Sequence, residues 1–240
     1  MNEKSARSVN GRNVRSMAAR WVITGEMRLE TAAHFGGEGE SAVDMAVLRD
    51  AREGLPLLPG TSLAGALRSH VADVLAGYLS PECRESATLF GASRSDDAGS
   101  QSPLIVFDSL GDLPTGTTVE IRDGVAIDAG TGTAESGKKF DFEVLPAGTS
   151  FPVRVELTVS DPEKESRLVS LLIAALDGLA EGAISLGMRR SRGLGSVKAG
   201  RWKARRYDLT NEDGWLAWLT SHHEKPIEDD VAVYDSIEQA

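Results

Sequence analysis

The sequence predicts an α+β fold, built from strands and helices that follow one another along the chain. Apolar and polar residues alternate over residues 21–29 and again over 151–159, which is the period of a half-buried strand. Apolar residues recur at helical spacing after Pro59 and again after Pro162. A chain of 240 residues, 41% of them hydrophobic, can bury a full core and is compatible with one elaborated domain.

The first predicted strand, residues 21–29, is followed by a long insertion at residues 31–60. This insertion is rich in glycine and acidic residues and lacks helical periodicity, so that only a short strand near residues 45–49 is expected in it. Loops of this length in a compact domain usually have a function. A helix is predicted from Pro59–Gly60 to about residue 79. Its apolar stripe is Leu63, Leu67, Val71, Val74 and Tyr78.

A second insertion, at residues 111–148, follows a predicted strand at residues 104–108. Strand-like stretches at 118–127 and 140–145 flank a tip rich in Gly and Thr. They predict a two-stranded arm, which is marginal alone and is expected to gain order from a partner.

The next part of the chain predicts a strand, a helix and a closing strand. In the strand at residues 151–159 the apolar side chains face inward, whereas Arg154, Glu156 and Thr158 face outward. Asp161 and Pro162 begin the helix at its N-cap and first position. The core stripe of this helix is Leu168, Leu172, Ala175, Leu176 and Leu179. An alternating stretch at residues 196–207 is the predicted closing strand, with Lys and Arg on one face.

Without the two insertions, the element order is strand, helix, strand, strand, helix, strand. This is the ferredoxin-like order, which the RRM shares. The predicted fold is therefore α+β, with a ferredoxin-like (RRM-like) core, a long loop insertion after the first strand and a β-hairpin thumb insertion between the second and third strands. The predicted domain covers residues 21–209, after a basic flexible arm at 1–20 and before an acidic tail at 210–240, in which Trp215 and Trp218 are expected to contact the core or a partner.

Cysteine usage and hydropathy predict a cytoplasmic location. The single cysteine, Cys83, cannot form an internal disulfide, which fits a reducing compartment. No run of 18 apolar residues exists, so no membrane span is expected. The first 20 residues carry basic side chains but lack the apolar segment of a secretory signal.

A basic, glycine-rich segment stands out in this acidic chain. Residues 186–207 hold eight Lys or Arg and no Asp or Glu, although the formal net charge of the chain is -10. Glycines between the arginines let backbone N–H groups approach an anion closely, which suits a polyanion such as RNA. Neither a Walker loop nor a dinucleotide-binding loop is present. A solvent-exposed turn before an edge strand is the alternative interpretation of this segment.

Several motifs carry a family resemblance. Residues 55–68 read LPLLPGTSLAGALR, and together with the basic segment they resemble the RAMP superfamily of CRISPR RNA-binding proteins. Further motifs, similar to the repeated backbone subunit (Cas7-like) of a type III CRISPR effector complex, are HFGG at 34–37, SAVD at 41–44, GVAID at 124–128, TGTA at 131–134 and KFDFEVLPAGT at 139–149. The resemblance covers roughly residues 21–209. Many relatives carry Lys at the position of Ala64, so the phosphate contact expected there is either missing in this chain or supplied by Arg68.

The resemblance implies binding of guide crRNA without regard to its sequence and cleavage of complementary target RNA. Asp44 matches the catalytic aspartate of relatives and would hold Mg²⁺ or another divalent cation. The expected partners are guide crRNA, target RNA, further copies of the chain and other subunits of the complex, with no membrane. The RNA-binding residues expected are His34, Ser62, Arg68, Ile127, Asp128, Thr131, Gly187, Arg189, Arg190, Arg192, Gly193, Gly195 and Lys198. RNA is not expected to stack on the sheet face, because no RNP1-like aromatic pattern occurs on the strands.

Other functions remain open at this point. The chain could be a non-catalytic structural or capping RNA-binding subunit, in which Asp44 is merely solvated. It could be a metal-independent endoribonuclease that processes guide RNA with a histidine. Outside this superfamily, the basic strand could bind an acidic protein. Glu38, Glu40 and Asp50 could assist Asp44, although Glu38 and Glu40 are interpreted as solvated, and His222–His223 as a surface pair.

Overall fold

The computed structural model describes residues 17–36, 43–77, 85–92 and 101–221. Five predictions therefore lie outside the described residues: most of the basic arm at 1–20, the acids Glu38 and Glu40, the apolar Tyr78, the thiol of Cys83, and the tail beyond residue 221 with its histidine pair.

The described chain is a mixed α/β structure with antiparallel sheets. Its strands are β1 (Ala19–Leu29), β2 (Leu57–Leu58), β3 (Leu104–Val106), β4 (Ser109–Leu110), β5 (Glu120–Ile127), β6 (Ala134–Val144), β7 (Ser150–Val159), β8 (Val197–Ala199) and β9 (Lys203–Asp208). Its helices are α1 (Gly60–Ala76), α2 (Glu85–Phe90), α3 (Glu165–Ala180) and α4 (Glu212–Thr220). The predicted short strand near residues 45–49 is present as isolated bridges at Met45, Val47 and Arg49.

The central sheet has the order β3-β7-β1-β8, and β9 also pairs with β1. The closing strand, predicted as one stretch over residues 196–207, is thus two strands. The indole of Trp202 explains the break, because it lies where a Cβ on Gly25 of β1 would be. Trp202 is itself 7% exposed, so that the chain leaves the ladder to bury this side chain and then returns to β1.

Helices α1 and α3 pack on one face of this sheet in a single hydrophobic core. The predicted stripe of α3 is buried throughout, and Asp161 caps the 3₁₀ turn that precedes the helix by accepting a hydrogen bond from the backbone N–H of Glu163. On α1 the burial of the stripe ends at Val71, and the prediction that Val74 is a core residue is wrong, because its side chain is 56% exposed. The helix ends at Ala76, before Gly77, whose φ is 52°.

The opposite face of the sheet holds a buried charge that the alternation did not predict. Glu156 points away from the helices but is 4% exposed, which corrects its assignment to a solvated face. Its carboxylate accepts hydrogen bonds from the guanidinium groups of Arg20 and Arg154. Burial of this carboxylate is tolerated because both partners are cationic.

Helix α4 covers part of the same face with the two tryptophans of the predicted tail. Trp215 and Trp218 pack against the buried side chains of Val22, Tyr207 and Leu209. The two indoles meet edge to face, with ring centres 5.5 Å apart. The contact expected between this tryptophan pair and the core is therefore present.

A hairpin lies within residues 111–148. Strands β5 and β6 pair antiparallel from Glu120↔Val144 to Ile127↔Ala134, and we call this hairpin the arm. The base of the arm packs on the core at Phe142 and Val144, while its β5 side chains are largely exposed. None of the helices in the described residues is long and apolar enough to cross a membrane.

Candidate functional site

A cleft of about 380 Å³ lies between the first half of α1 and the segment at residues 185–190. The α1 side is a stripe of small residues at helical spacing, Ser62, Gly65, Ala66 and Ser69. The other residues that line it are His34, Phe35, Gly36, Pro59, Ser185, Leu186, Gly187, Met188 and Arg190. Because the α1 stripe carries no long side chain, a bulky linear ligand can approach the helix backbone.

The N-terminus of α1 gives this cleft a positive end. The helix begins at Gly60, whose N–H donates to the carboxylate of Asp108 at 2.7 Å, and a Cβ at residue 60 would collide with the carbonyl oxygen of Val106. The first turn of the helix contains no acidic residue. The carboxylate of Asp108 offsets part of the helix dipole at Gly60, and the rest of the first turn still favours an anion near Ser62.

The opposite side of the cleft is the glycine-rich segment, which we call the basic loop (residues 186–198). Gly187, Gly193 and Gly195 have φ values of 82°, 79° and 79°, which other residues adopt at a cost. A Cβ at Gly187 would collide with the carbonyl oxygen of His34, and one at Gly195 with that of Leu186. Gly187 therefore allows the loop to pack closely on the segment after β1, and Gly195 allows the two ends of the loop to pack on each other.

The three arginines of the basic loop have different surroundings. Arg190 and Arg192 form a short 3₁₀ turn and are exposed, and Arg190 lines the cleft. The guanidinium carbon of Arg189 lies 4.1 Å from the ring centre of Phe142 and 4.8 Å from that of Phe140. Within the described residues, none of the three forms a salt bridge with a carboxylate. No carboxylate among the described residues therefore competes with a ligand for Arg190 and Arg192.

His34 lines the cleft but is only 1% exposed. Its Nδ1 lies 2.6 Å from the carbonyl oxygen of Glu143, so that this nitrogen carries the proton and donates it. The ring also meets Phe142 edge to face, with ring centres 6.4 Å apart. A bond of this kind fixes the orientation of the imidazole.

Asp44 is exposed and lies against the base of the arm. Its Oδ2 accepts a hydrogen bond from the backbone N–H of Asp141 at 2.9 Å. The next residue, Met45, donates its N–H to the carbonyl of Asp141 and accepts from the N–H of Glu143. The first insertion thus runs along β6, and one short piece of β6, residues 140–143, contacts Asp44, Arg189 and His34 at successive residues. At about 3.3 Å per residue, this brings the three within a few residue lengths of one another.

The carboxylates around Asp44 do not form a metal cage on their own. Asp123 and Asp141 face each other across the arm, and the hydrogen bond that the protonated carboxyl of Asp141 donates to Asp123 raises the pKa of Asp141. The pKa of Asp123 is lowered, chiefly by its bond to Lys139. In the part of the chain that the structure describes, no group of three or more His, Cys, Asp or Glu is placed to hold a metal ion. The exposed Asp44 fits Mg²⁺ only in the manner of a site that takes its other ligands from a phosphate and water.

Five of the predicted site residues lie away from the cleft. Lys198 is exposed between the buried residues Val197 and Ala199, so that its side chain points away from the helices. Arg68 is on α1 but outside the stripe that lines the cleft. The other three, Ile127, Asp128 and Thr131, are at the tip of the arm. There Asp128 accepts bonds from Thr131 and Gly130, which lower its pKa.

Sequence reasoning missed two features of the site. The pair Phe140 and Phe142 was assigned to a strand without a role, although the i, i+2 spacing of the rings places them on one face of it. Ser62 was predicted to bind RNA, but Gly65, Ala66 and Ser69 were noted only as part of a helix, although their spacing of three and four from Ser62 places all four small side chains on one face.

The family model of the RAMP superfamily matches this chain over residues 26–198, which include α1, the arm, the cleft and the basic loop. The chain belongs to the RAMP superfamily. This match confirms the family resemblance inferred from the motifs.

This RAMP protein is also similar to two curated relatives. It is 27% identical over 203 residues to the CRISPR system Cms endoribonuclease Csm3 of Streptococcus thermophilus, covering 78% of this chain and 90% of the relative. It is 41% identical over 54 residues to the protein of the same name from Enterococcus italicus, a local match covering 21% of this chain and 25% of the relative. The first alignment spans most of both chains and includes both sides of the cleft.

Proposed function

We propose that this RAMP protein is a backbone subunit of a type III CRISPR ribonucleoprotein that binds guide crRNA and cleaves complementary target RNA. The family match and the similarity to proteins named Csm3 endoribonuclease support the class of complex and activity. The observation that carries the proposal is the cleft, in which a helix N-terminus and a charged glycine-rich loop converge, with Asp44 of the first insertion hydrogen-bonded to β6 nearby.

The guide is proposed to pass through the cleft by its sugar-phosphate backbone. Arg190 and Arg192 supply positive charge, and the N-terminal turn of α1 supplies the helix dipole at Ser62. Gly187 and the other glycines of the basic loop permit the RNA backbone to approach the protein backbone closely. None of these groups distinguishes bases, so that sequence choice falls to pairing between guide and target. Lys198 and Arg68, on other sides of the molecule, are proposed to contact more distant phosphates or neighbouring subunits.

Asp44 is proposed as the catalytic residue. Target RNA supplies its own nucleophile, the 2′-OH, and requires removal of that proton and stabilisation of charge on the phosphate. Asp44 would hold a divalent cation such as Mg²⁺, which would supply a Lewis acid and lower the pKa of bound water. The protein's own contribution is positional: the N–H of Asp141 fixes one carboxylate oxygen and leaves the other for the ligand.

The arm and the core complete the proposal. We propose a ferredoxin-like core, since the sheet order β3-β7-β1-β8 is the one that this topology produces once β2, β4 and the arm are set aside. The exposed Ile127 at the end of β5, with Asp128 and Thr131, would contact RNA where the arm meets it. The partners are guide crRNA, target RNA, further copies of the chain and other subunits, in the cytoplasm.

The test is target cleavage by the protein assembled with a guide. Asp44→Asn keeps the shape of the side chain and removes its charge, and cleavage is expected to fall by at least about 100-fold while guide binding is unchanged. The matched control is Glu53→Gln, an exposed acid of the same insertion. EDTA should abolish cleavage by the unaltered protein.

A non-catalytic subunit is the second candidate. Cleavage by Asp44→Asn at the rate of the unaltered protein, or assembled protein without cleavage in Mg²⁺, would select it. Cleavage of precursor guide RNA in EDTA would select the metal-independent processing enzyme.

A further inference from the structure

Resting on the proposed function, we infer that Arg189 is a positioning residue that holds the basic loop on the arm, and that Arg190 and Arg192 are the arginines that contact phosphate. From the sequence alone, all three arginines were predicted to bind RNA. Their surroundings in the fold differ, and the difference predicts separate roles.

The guanidinium of Arg189 is engaged by two aromatic rings of β6. Its carbon lies 4.1 Å from the ring centre of Phe142 and 4.8 Å from that of Phe140, within the range of a cation–π interaction with each. The two rings are themselves 6.2 Å apart between centres. Arg189 is also partly buried, whereas Arg190 and Arg192 are exposed.

The backbone at Arg189 is strained in a manner that fits a fixed anchor. Its φ is 60°, and among the described residues Arg189 alone, glycines aside, has a positive φ. This conformation is unfavourable for residues other than glycine and persists where the surroundings compensate for it. The carbonyl of Arg189 accepts the N–H of Arg192 at 2.8 Å and begins the 3₁₀ turn of residues 190–192. The position of Arg189 thus sets the direction in which Arg190 and Arg192 leave the loop.

The rings are held in place from both sides. A Cβ at Gly124, which is opposite Phe140 on β5, would collide with the ring of Phe140, so that this ring lies flat on the glycine. Phe142 is 6% exposed and meets the ring of His34 edge to face. Side-chain contacts therefore connect the arm to the cleft without a gap, and we call this set of contacts the stack. It runs in the order Gly124, Phe140, Arg189, Phe142, His34. The arm and the basic loop are expected to act as one body when RNA binds.

The salt dependence of RNA binding separates the two roles. Each phosphate contact to single-stranded RNA contributes about 0.7 to the slope of log affinity against log salt. The protein is titrated with fluorescent single-stranded RNA of guide length at several salt concentrations. Arg190→Ala and Arg192→Ala are expected to lower the slope by about 0.7 each. Arg189→Ala is expected to weaken binding about 3- to 10-fold with no change in slope.

Two further variants test the stack itself. Phe142→Leu should reproduce the loss of Arg189→Ala, and the double variant should be no weaker than either single one. Arg189→Gly, which adopts the positive φ without strain, should still show the loss if the rings rather than the strain matter. A decrease of about 0.7 in slope for Arg189→Ala, or additive losses in the double variant, would overturn the inference. RNA binding that is insensitive to salt in the unaltered protein would instead overturn the proposed function.

Discussion

The carboxylate of Asp44 is held by the backbone of Asp141: Oδ2 accepts the N–H of that residue at 2.9 Å. Asp141 opposes Asp123 in the arm, and its N–H and carbonyl point away from β5 toward the first insertion. A loop residue that the family resemblance marks as catalytic is therefore fixed by a strand and not by another loop. Its position depends on the arm being folded.

This relationship predicts that the side chain of Asp141 is dispensable. Asp141→Asn keeps the N–H that binds Asp44 and removes the charge, so that target cleavage is expected to stay within about threefold of the unaltered protein, since a lost surface carboxylate is worth little. Single-turnover cleavage at saturating guide and Mg²⁺ measures it. A loss comparable to that of Asp44→Asn would show that the Asp141 carboxylate takes part in the chemistry.

Two glycines of the basic loop form a matched pair. Gly193 and Gly195 have the same φ of 79°, but a Cβ at Gly193 meets nothing within 4 Å, whereas one at Gly195 collides with the backbone of Leu186. Gly193→Ala should cost about 1 kcal/mol of unfolding free energy from conformation alone. Gly195→Ala should cost more and also weaken RNA binding. Urea denaturation and RNA titration of both variants test this, and equal losses would contradict the packing argument.

Glu156 is predicted to be the most costly acid to remove from the sheet. Its loss in Glu156→Ala leaves the guanidinium groups of Arg20 and Arg154 close together and partly buried without their anion. The expected decrease in unfolding free energy is about 2–3 kcal/mol. The control is Glu120→Gln, whose ion pair with Arg122 is exposed and should contribute under about 1 kcal/mol. Similar midpoints in urea for both variants would contradict this prediction.

Stability is predicted to fall in acid through Glu165. Hydrogen bonding from Arg206 lowers the pKa of this carboxyl below its ordinary value of 4.5, and the indole of Trp21 adds to the effect. A lowered pKa in the folded state means that the stabilisation is present above pH 4.5 and is lost as the pH falls through the folded-state value. Glu165→Gln should therefore be less stable at pH 7, and its deficit should shrink below pH 4.5. Melting temperatures of both proteins from pH 7 to 3 measure this, and a deficit that is constant with pH would contradict it.

The periodicity of the sequence predicted the main strands and helices of this fold. What it missed depends on contacts between side chains from distant parts of the chain. The strand from Trp21, the strand with Phe151 and the helix with Leu172 were predicted because each buries one face at its own period. The split of the closing strand depends on Trp202 lying over Gly25, a contact between distant residues that no local pattern shows.

The same limit applies to the site. The basic loop was singled out from its residues, Asp44 from the family resemblance, and the family from the order of motifs. The role that we assign to Arg189 depends on Phe140 and Phe142, which are nearly 50 positions earlier in the chain. The interactions that distinguish Arg189 from Arg190 and Arg192 are tertiary contacts. The sequence alone therefore predicted the same role, RNA binding, for all three.

The most direct test of the account places a negative charge in the cleft with Ser62→Glu. An acid in the first turn of α1 is favoured by the helix dipole, so the fold should be as stable as before, while guide RNA should bind at least about 10-fold more weakly. The control Val74→Glu puts the same charge on exposed α1 surface, about 18 Å along the helix axis. Weaker binding for Ser62→Glu alone, at an unchanged melting temperature, is the predicted result. Binding of guide RNA by Ser62→Glu with the affinity of the unaltered protein would contradict the central claim that the cleft holds the guide.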